Sequence, residues 1–247
     1  MTLHGESVCA ILLDIEGTTT PLDFVYKALF PYTRSHVKQF LRQHFSSQEV
    51  FADISGLREE HGVDTRQGLN PPLLRHNTPE EELESVVEYI EWLMDRDRKS
   101  TSLKSLQGRI WEQGYKRGEL RGQVFDDVPR ALERWQKQKK KICIFSSGSV
   151  LAQKLLFAHT TAGDLTQHIS HYFDTSTGGK TDTQTYQAIA TVLQRSPREI
   201  AFLSDVTAEL DAAKSAGIKT LLCVRPGNRP QPANTHLVIR TFDEVLP

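Results

Sequence analysis

The segment Val8 to Thr20 constrains this chain more than any other. Six residues without a polar interruption, Val8 to Leu13, stop at Asp14; Glu16, Gly17 and three threonines follow. A short continuous apolar run reads as a strand buried on both faces, the kind a parallel sheet contains. Asp14 then stands at the carboxyl end of that strand, where open α/β sheets bind their ligands. A side-chain period of two points Asp14 and Glu16 the same way while the strand lasts, and Gly17 permits a sharp turn directly after them. Two acids over a sheet edge, beside hydroxyls, suit a divalent cation, a covalent nucleophile with its acid/base partner, or both. The plain alternative is a strand-to-helix loop whose acids are merely solvated.

The remainder of the chain fits a doubly wound α/β core. Pro129 to Lys139, Val150 to Phe157, Asp182 to Leu193 and Thr207 to Ala216 read as helices. Ile142–Phe145, Ile200–Leu203, Ile218–Val224 and Leu237–Ile239 read as strands between and after them. Such alternation indicates βαβ units and a parallel sheet. Between the first strand and this region lie about a hundred residues with helical spacing and little strand character. The clearest helix there begins at Thr78, with Pro79 at its first position and Glu81 completing a capping box; Leu83, Val86, Val87, Ile90, Leu93 and Met94 form its apolar face. Residues 62–77, polar and broken by Pro71-Pro72, read as a loop, and a further helix around Leu103 to Trp111 ends at the glycines 114, 118 and 122. The expected division is a core of residues 1–19 and 124–247 with a helical cap, residues 20–123, inserted after the first strand. Entering directly after the candidate acids, that insertion is expected to act as a lid, hinged near 17–20 and 122–125.

Composition excludes several classes. With 247 residues, a formal net charge of −1 and 25% charged residues, the chain is a soluble globular protein without general attraction to nucleic acid or anionic membrane. Cys9, Cys143 and Cys223 each fall in an expected buried strand, which argues for reduced thiols and a cytoplasmic setting. There is no cysteine/histidine pattern of zinc spacing, no stretch that could span a bilayer and no signal peptide. His168 and His171 read as ordinary surface or packing residues. No Gly-x-Ser-x-Gly elbow is present, which disfavours a serine hydrolase.

Chemistry-bearing residues recur where strands end. Ser146-Ser147-Gly148 follows the strand 142–145 and precedes a helix, a place where hydroxyls and backbone N–H groups can cradle phosphate. Lys180 sits in Thr177-Gly178-Gly179-Lys180-Thr181-Asp182, delivered by a flexible glycine pair. Ser204-Asp205 closes the strand 200–203, with Glu209 and Asp211 following. Each is commonplace alone; a receiver-type signalling domain also uses an aspartate and a lysine on a parallel sheet, but is much shorter.

In order, placement and residue type these segments resemble the haloacid dehalogenase-like hydrolases. The resemblance implies a Rossmann-like core in which Asp14 is the nucleophile that becomes an aspartyl phosphate. It further implies that Ser146 and Ser147 bind substrate, Lys180 offsets charge on nucleophile and phosphate, and one Mg²⁺ per subunit is held by Asp14, Glu16 and Asp205. Most phosphatases of that superfamily carry aspartate two residues after the nucleophile; here it is Glu16. Asp14-Ile15-Glu16-Gly17-Thr18-Thr19, with Phe145-Ser146-Ser147-Gly148-Ser149, Gly179-Lys180 and Phe202-Leu203-Ser204-Asp205, is similar to the bifunctional enolase-phosphatases of methionine salvage. That resemblance implies enolisation of a small phosphorylated diketone, 2,3-diketo-5-methylthiopentyl-1-phosphate, then loss of its phosphate to give an acireductone. Glu16 would serve as acid/base or metal ligand; the enolisation base is not assigned. A phosphatase of the same superfamily acting on another phosphomonoester is the nearest rival, and a metal-free dehalogenase a more distant one. No nucleic-acid or membrane partner is implied, and the chain is expected to be a monomer.

Overall fold

The computed structural model describes residues 8–98, 100–232 and 235–247. Two compact units emerge, one formed by Met1–Val25 with Arg121–Pro247 and the other by Tyr26–Leu120.

The first unit is built on a six-stranded sheet, every pairing parallel, in the order β3-β2-β1-β4-β5-β6. Its strands are β1 (Ala10–Leu13), β2 (Lys141–Phe145), β3 (His171–Phe173), β4 (Ile200–Ser204), β5 (Lys219–Cys223) and β6 (Leu237–Ile239). The chain runs outward from β1 to β3, then returns to β4 on the other side of β1. That reversal is the switch point where doubly wound sheets open a crevice at their carboxyl ends. All four residues of β1 are fully buried because β1 is central and covered on both faces. Ala10 and Leu12 pack with Cys143, Phe145, Ile200, Phe202, Tyr186, Ile189 and Leu210 in one core cluster, while Ile11 and Leu13 are equally buried on the opposite face.

Two helices supply that cluster, Thr183–Leu193 and Thr207–Ser215; the other two long helices of this unit are Asp127–Lys137 and Val150–Ala158. Trp135 is fully buried; its indole N–H donates to the Val245 carbonyl (3.0 Å) and its ring lies 5.4 Å from Phe242.

The second unit is all helical: Phe30–His44, Gln48–Arg66, Pro79–Asp95 and Thr101–Lys116. A π-helical turn at Val25–Leu29 precedes them, and Pro31 sits in the first turn of Phe30–His44. Val37, Leu41, Ile54, Leu57, Val86, Ile90, Leu93 and Leu106 form its core. Thr78 caps Pro79–Asp95 through its hydroxyl, which accepts from Glu81 N–H (3.2 Å); the reciprocal half of a capping box is not formed.

Several local expectations are corrected. The helix Gln48–Arg66 runs through Gly62, inside the expected loop, because one glycine costs a helix only about 1 kcal/mol and Asp64 on the same turn is fully buried and bonded. Gly114 lies within Thr101–Lys116, and the left-handed Gly118 (φ +73°) follows its end. His171 opens an edge strand that no periodicity announced, since three residues are too few to show one. Cys9 stands before β1, half-buried, its thiol donating to Glu199 Oε1 (3.4 Å).

Candidate active site at the carboxyl edge of the sheet

Strand register assembles the site. Leu13 pairs with Ile144 on one side and Leu203 on the other, so Asp14, Ser146 and the Ser204-Asp205 pair emerge beside one another. The Asp14 backbone N–H continues the ladder to the Leu203 carbonyl (3.0 Å), but β1 itself stops at Leu13. The two-residue alternation therefore does not carry through to Glu16. Instead the Ile15 carbonyl accepts from the backbone N–H groups of Thr18, Thr19 and Thr20 (3.2, 3.0 and 2.9 Å), and Gly17 N–H donates to the Thr20 carbonyl (2.8 Å). Gly17 has φ +70°, a region open to glycine at no steric cost. Glu16 is half-buried in this tight turn.

Asp14 is buried and multiply bonded. Its Oδ1 accepts from Ile15 N–H (2.7 Å) and lies 2.7 Å from Lys180 Nζ. Lys180 Nζ is also 2.7 Å from Glu209 Oε2. The Ser204 hydroxyl sits 3.2 Å from Asp14 Oδ2 and 3.0 Å from Glu209 Oε2; with one proton it donates to only one of them at a time. Burial works against the Lys180 charge, but the Asp14 and Glu209 carboxylates outweigh it and hold the ammonium protonated above its ordinary range. The same burial, with Asp14's charge, pushes Glu209 up, and Lys180 opposes that rise.

The lysine arrives on an ordered loop. Tyr186 donates its hydroxyl to the Lys180 carbonyl (2.7 Å). Gly178 (φ +142°) approaches Thr185 so closely that a Cβ there would meet Thr185 Oγ1 at 2.2 Å.

Ser146 is buried and Ser147 half-buried. The Ser146 hydroxyl accepts from Gly148 N–H (3.1 Å), and Ser146 N–H donates to the Phe173 carbonyl (3.2 Å). Two donors in the first turn of Val150–Ala158 are already taken: Val150 N–H goes to Asp174 Oδ2 (3.3 Å) and Ala152 N–H to Ser149 Oγ (3.3 Å). What this loop offers a phosphate is therefore its two serine hydroxyls more than the helix end.

Asp205 differs from its neighbours. It is only 6% exposed, yet no cation among the described residues is ion-paired with it. Burial and the Asp14 charge push its carboxyl up to about 7, and Glu16 adds to the effect. A buried carboxylate facing a second one without a cation is the donor chemistry of a divalent-cation site. Among the described residues no three acidic, histidine or cysteine side chains converge as a metal cluster. Mg²⁺ does not require such a cluster, since it usually takes one or two carboxylates and retains several waters. Asp14 and Asp205 fit that pattern, with Glu16 two residues after Asp14 and close enough to act on the Asp205 carboxyl.

Three residues that sequence reasoning passed over support the site. Arg225 is buried, stacks 4.7 Å from the Phe125 ring and 4.6 Å from the Phe242 ring, pairs with Asp127 (2.8 Å) and donates Nε–H to the Thr18 carbonyl (3.2 Å). Asn228 Nδ2 donates to the Gly17 carbonyl (2.9 Å) and the Cys223 carbonyl (3.2 Å). Gln153, buried beneath the serine loop, donates to the carbonyls of Gly148 (2.8 Å) and Phe173 (2.9 Å). The available signal was an arginine and an asparagine bracketing Pro226-Gly227 after a strand, which reads as an ordinary turn.

The chain is similar to several known proteins. A family model described as haloacid dehalogenase-like hydrolase matches residues 8–217. A Synechococcus elongatus protein named Enolase-phosphatase E1 is 49% identical over 97% of this chain and 98% of its own. One of the same name from Drosophila yakuba is 42% identical over 92% of this chain and 88% of its own. The solved structure of the UTR4 protein from Saccharomyces cerevisiae is similar with a TM-score of 0.76 and 35% identity, covering 97% of this chain and 99% of that one.

Proposed function

Because the chain belongs to the haloacid dehalogenase-like hydrolases and, within them, to the enolase-phosphatases, we propose a working mechanism in which one buried carboxylate cluster serves both of its reactions. The enzyme enolises 2,3-diketo-5-methylthiopentyl-1-phosphate and then removes the phosphate, yielding the acireductone of methionine salvage. The observation that carries the mechanism is the ion pair of Lys180 with both Asp14 and Glu209 at the end of β1.

In the phosphatase half, the Asp14 carboxylate attacks phosphorus. A new O–P bond forms, the ester O–P bond breaks, and the leaving oxygen takes a proton. Water then cleaves the aspartyl phosphate and releases inorganic phosphate. Attack by an anion on a phosphate dianion requires its repulsion to be offset, and Lys180, charged between two carboxylates, is built for that. Ser146 and Ser147 hold the phosphate oxygens. In the enolase half, a proton leaves the carbon beside a carbonyl, with Glu16 the acid/base group closest along the chain to the nucleophile. Asp14 and Asp205 would hold one Mg²⁺, which when bound would supply Lewis-acid stabilisation of negative charge developing on oxygen. The inserted helical unit, Tyr26–Leu120, is the segment expected to close as a lid during turnover. The buried thiols Cys143 and Cys223 support a cytoplasmic setting. No helix among the described residues is long and apolar enough to cross a membrane.

The test is phosphate release from the diketone phosphate with and without Mg²⁺, followed alongside ultraviolet absorbance. A transient enol that gives way to acireductone as Mg²⁺-dependent phosphate appears is the expected result. Mg²⁺-independent release would remove the metal from the mechanism, and release from other esters but not this one would overturn the substrate.

A further inference from the structure

We propose that Asn228 is an outer positioning residue of the cation site, its side-chain Oδ1 accepting a hydrogen bond from a water carried by the cation on Asp205. This inference rests on the Mg²⁺ reading above and adds a residue to it. The orientation of the amide is decided by its partners. Both groups near Nδ2, the Gly17 and Cys223 carbonyls, are acceptors, so a flipped amide would set oxygen against two oxygens. Oδ1 therefore faces the other way, where it is buried without a hydrogen-bond partner. An amide oxygen left so opposes folding, which makes it a place where a ligand's proton is missing.

Oδ1 also faces a definite group. A Cβ built on Gly17 would lie 2.3 Å from Asp205 Oδ2 and 2.9 Å from Asn228 Oδ1. Two acceptors thus converge over Gly17, in space that any Cβ would claim, and a water between such a pair can donate to Oδ1. The protons of a cation-bound water satisfy Oδ1 while its oxygen stays on the ion; partners of this kind orient a metal's ligands and tune its affinity. Arg225 provides the contrast. It grips the adjacent Thr18 carbonyl of the same turn, but sends no acceptor toward Asp205.

The experiment is calorimetric titration of MgCl₂ into the full chain without substrate, for wild type, Asn228→Ala and Arg225→Lys, with thermal unfolding in chelator to register each variant's fold. Asn228→Ala is expected to raise the Mg²⁺ Kd by about 10- to 100-fold, the usual consequence of losing an outer partner. Arg225→Lys is expected to lower the unfolding temperature in chelator while leaving Kd within about twofold. A Kd for Asn228→Ala within twofold of wild type overturns the proposal. So does equal weakening in both variants, which would mean that Asn228 acts only by holding the turn. A wild-type chain that binds no Mg²⁺ overturns the metal reading itself, a distinct result.

Discussion

Buried acids in the two units of this molecule are handled in opposite ways. In the helical unit, Asp64 accepts from the Tyr89 hydroxyl (2.8 Å) and pairs with Arg98 (2.7 Å), while Asp53 pairs with Arg109 (3.0 Å). Each carboxylate there has a cation of its own. At the sheet edge Asp14 and Glu209 share Lys180, and Asp205 has no ion-pair partner among the described residues. Stability alone does not build the second arrangement, because a buried charge without a partner opposes folding. The first pattern is structural; the second leaves charge in excess for an incoming phosphate and cation to meet.

The severest way to break that contrast is Asp14→Asn. An amide of the same size keeps the fold but forms no phosphoryl intermediate, so phosphate release should fall by at least ~10³-fold while unfolding stays cooperative. Substantial remaining turnover would sink the covalent route.

Asp205→Asn tests the uncompensated carboxylate. Mg²⁺ binding should weaken on the order of 100-fold, read by calorimetry. The stability effect has the opposite sign in chelator. Held near 7 by burial and Asp14, Asp205 keeps a proton in the fold that the unfolded chain gives up at an aspartate's ordinary value. The Asp205 contribution to stability is therefore full below an aspartate's ordinary value and is lost as pH rises to about 7. Asp205→Asn should make that fall shallower by on the order of 2 kcal/mol, Glu209 supplying the remainder. An unaltered pH profile of unfolding would show that Asp205 is not charged at the fold's expense.

What the sequence made legible, and what it hid, follows the same division. Short continuous apolar strands between helices announce a parallel sheet; their ends mark Asp14, Ser146 and Asp205, and a glycine pair marks Lys180, without any contact being known. The short edge strand β3 stayed hidden because three residues carry no periodicity, and Asp174 at its end was hidden with it. Asn228 and Arg225 were invisible for a different reason. They act through backbone carbonyls of a turn some two hundred residues earlier, and no local spacing encodes a partner that distant. Gly62 misled because a helix breaker is outweighed when the turn carrying it buries a bonded aspartate.

The helical unit offers the converse test. Asp64→Ala leaves the Tyr89 hydroxyl and the Arg98 guanidinium without their shared acceptor, which should cost about 3 kcal/mol of stability in denaturant unfolding. Mg²⁺ affinity should not move, since the lost charge balances a local pair and not the site. A shift in Kd comparable to that of Asp205→Asn would erase the distinction between the two kinds of buried acid.

Glu16→Asp asks for the smallest change and separates the two reactions. Retracting the carboxylate by one methylene leaves charge, Asp14 and the Gly17 turn in place, so folding and Mg²⁺ affinity should hold. If Glu16 moves a proton during enolisation, its reach matters there first, and the enol step should slow by about tenfold or more. Dephosphorylation, which depends on Asp14 and Lys180, should slow less. Following enol absorbance and phosphate release separately in one reaction reads both steps. Equal slowing would assign Glu16 to the electrostatics the two halves share, and leave the enolisation base to be sought outside the turn.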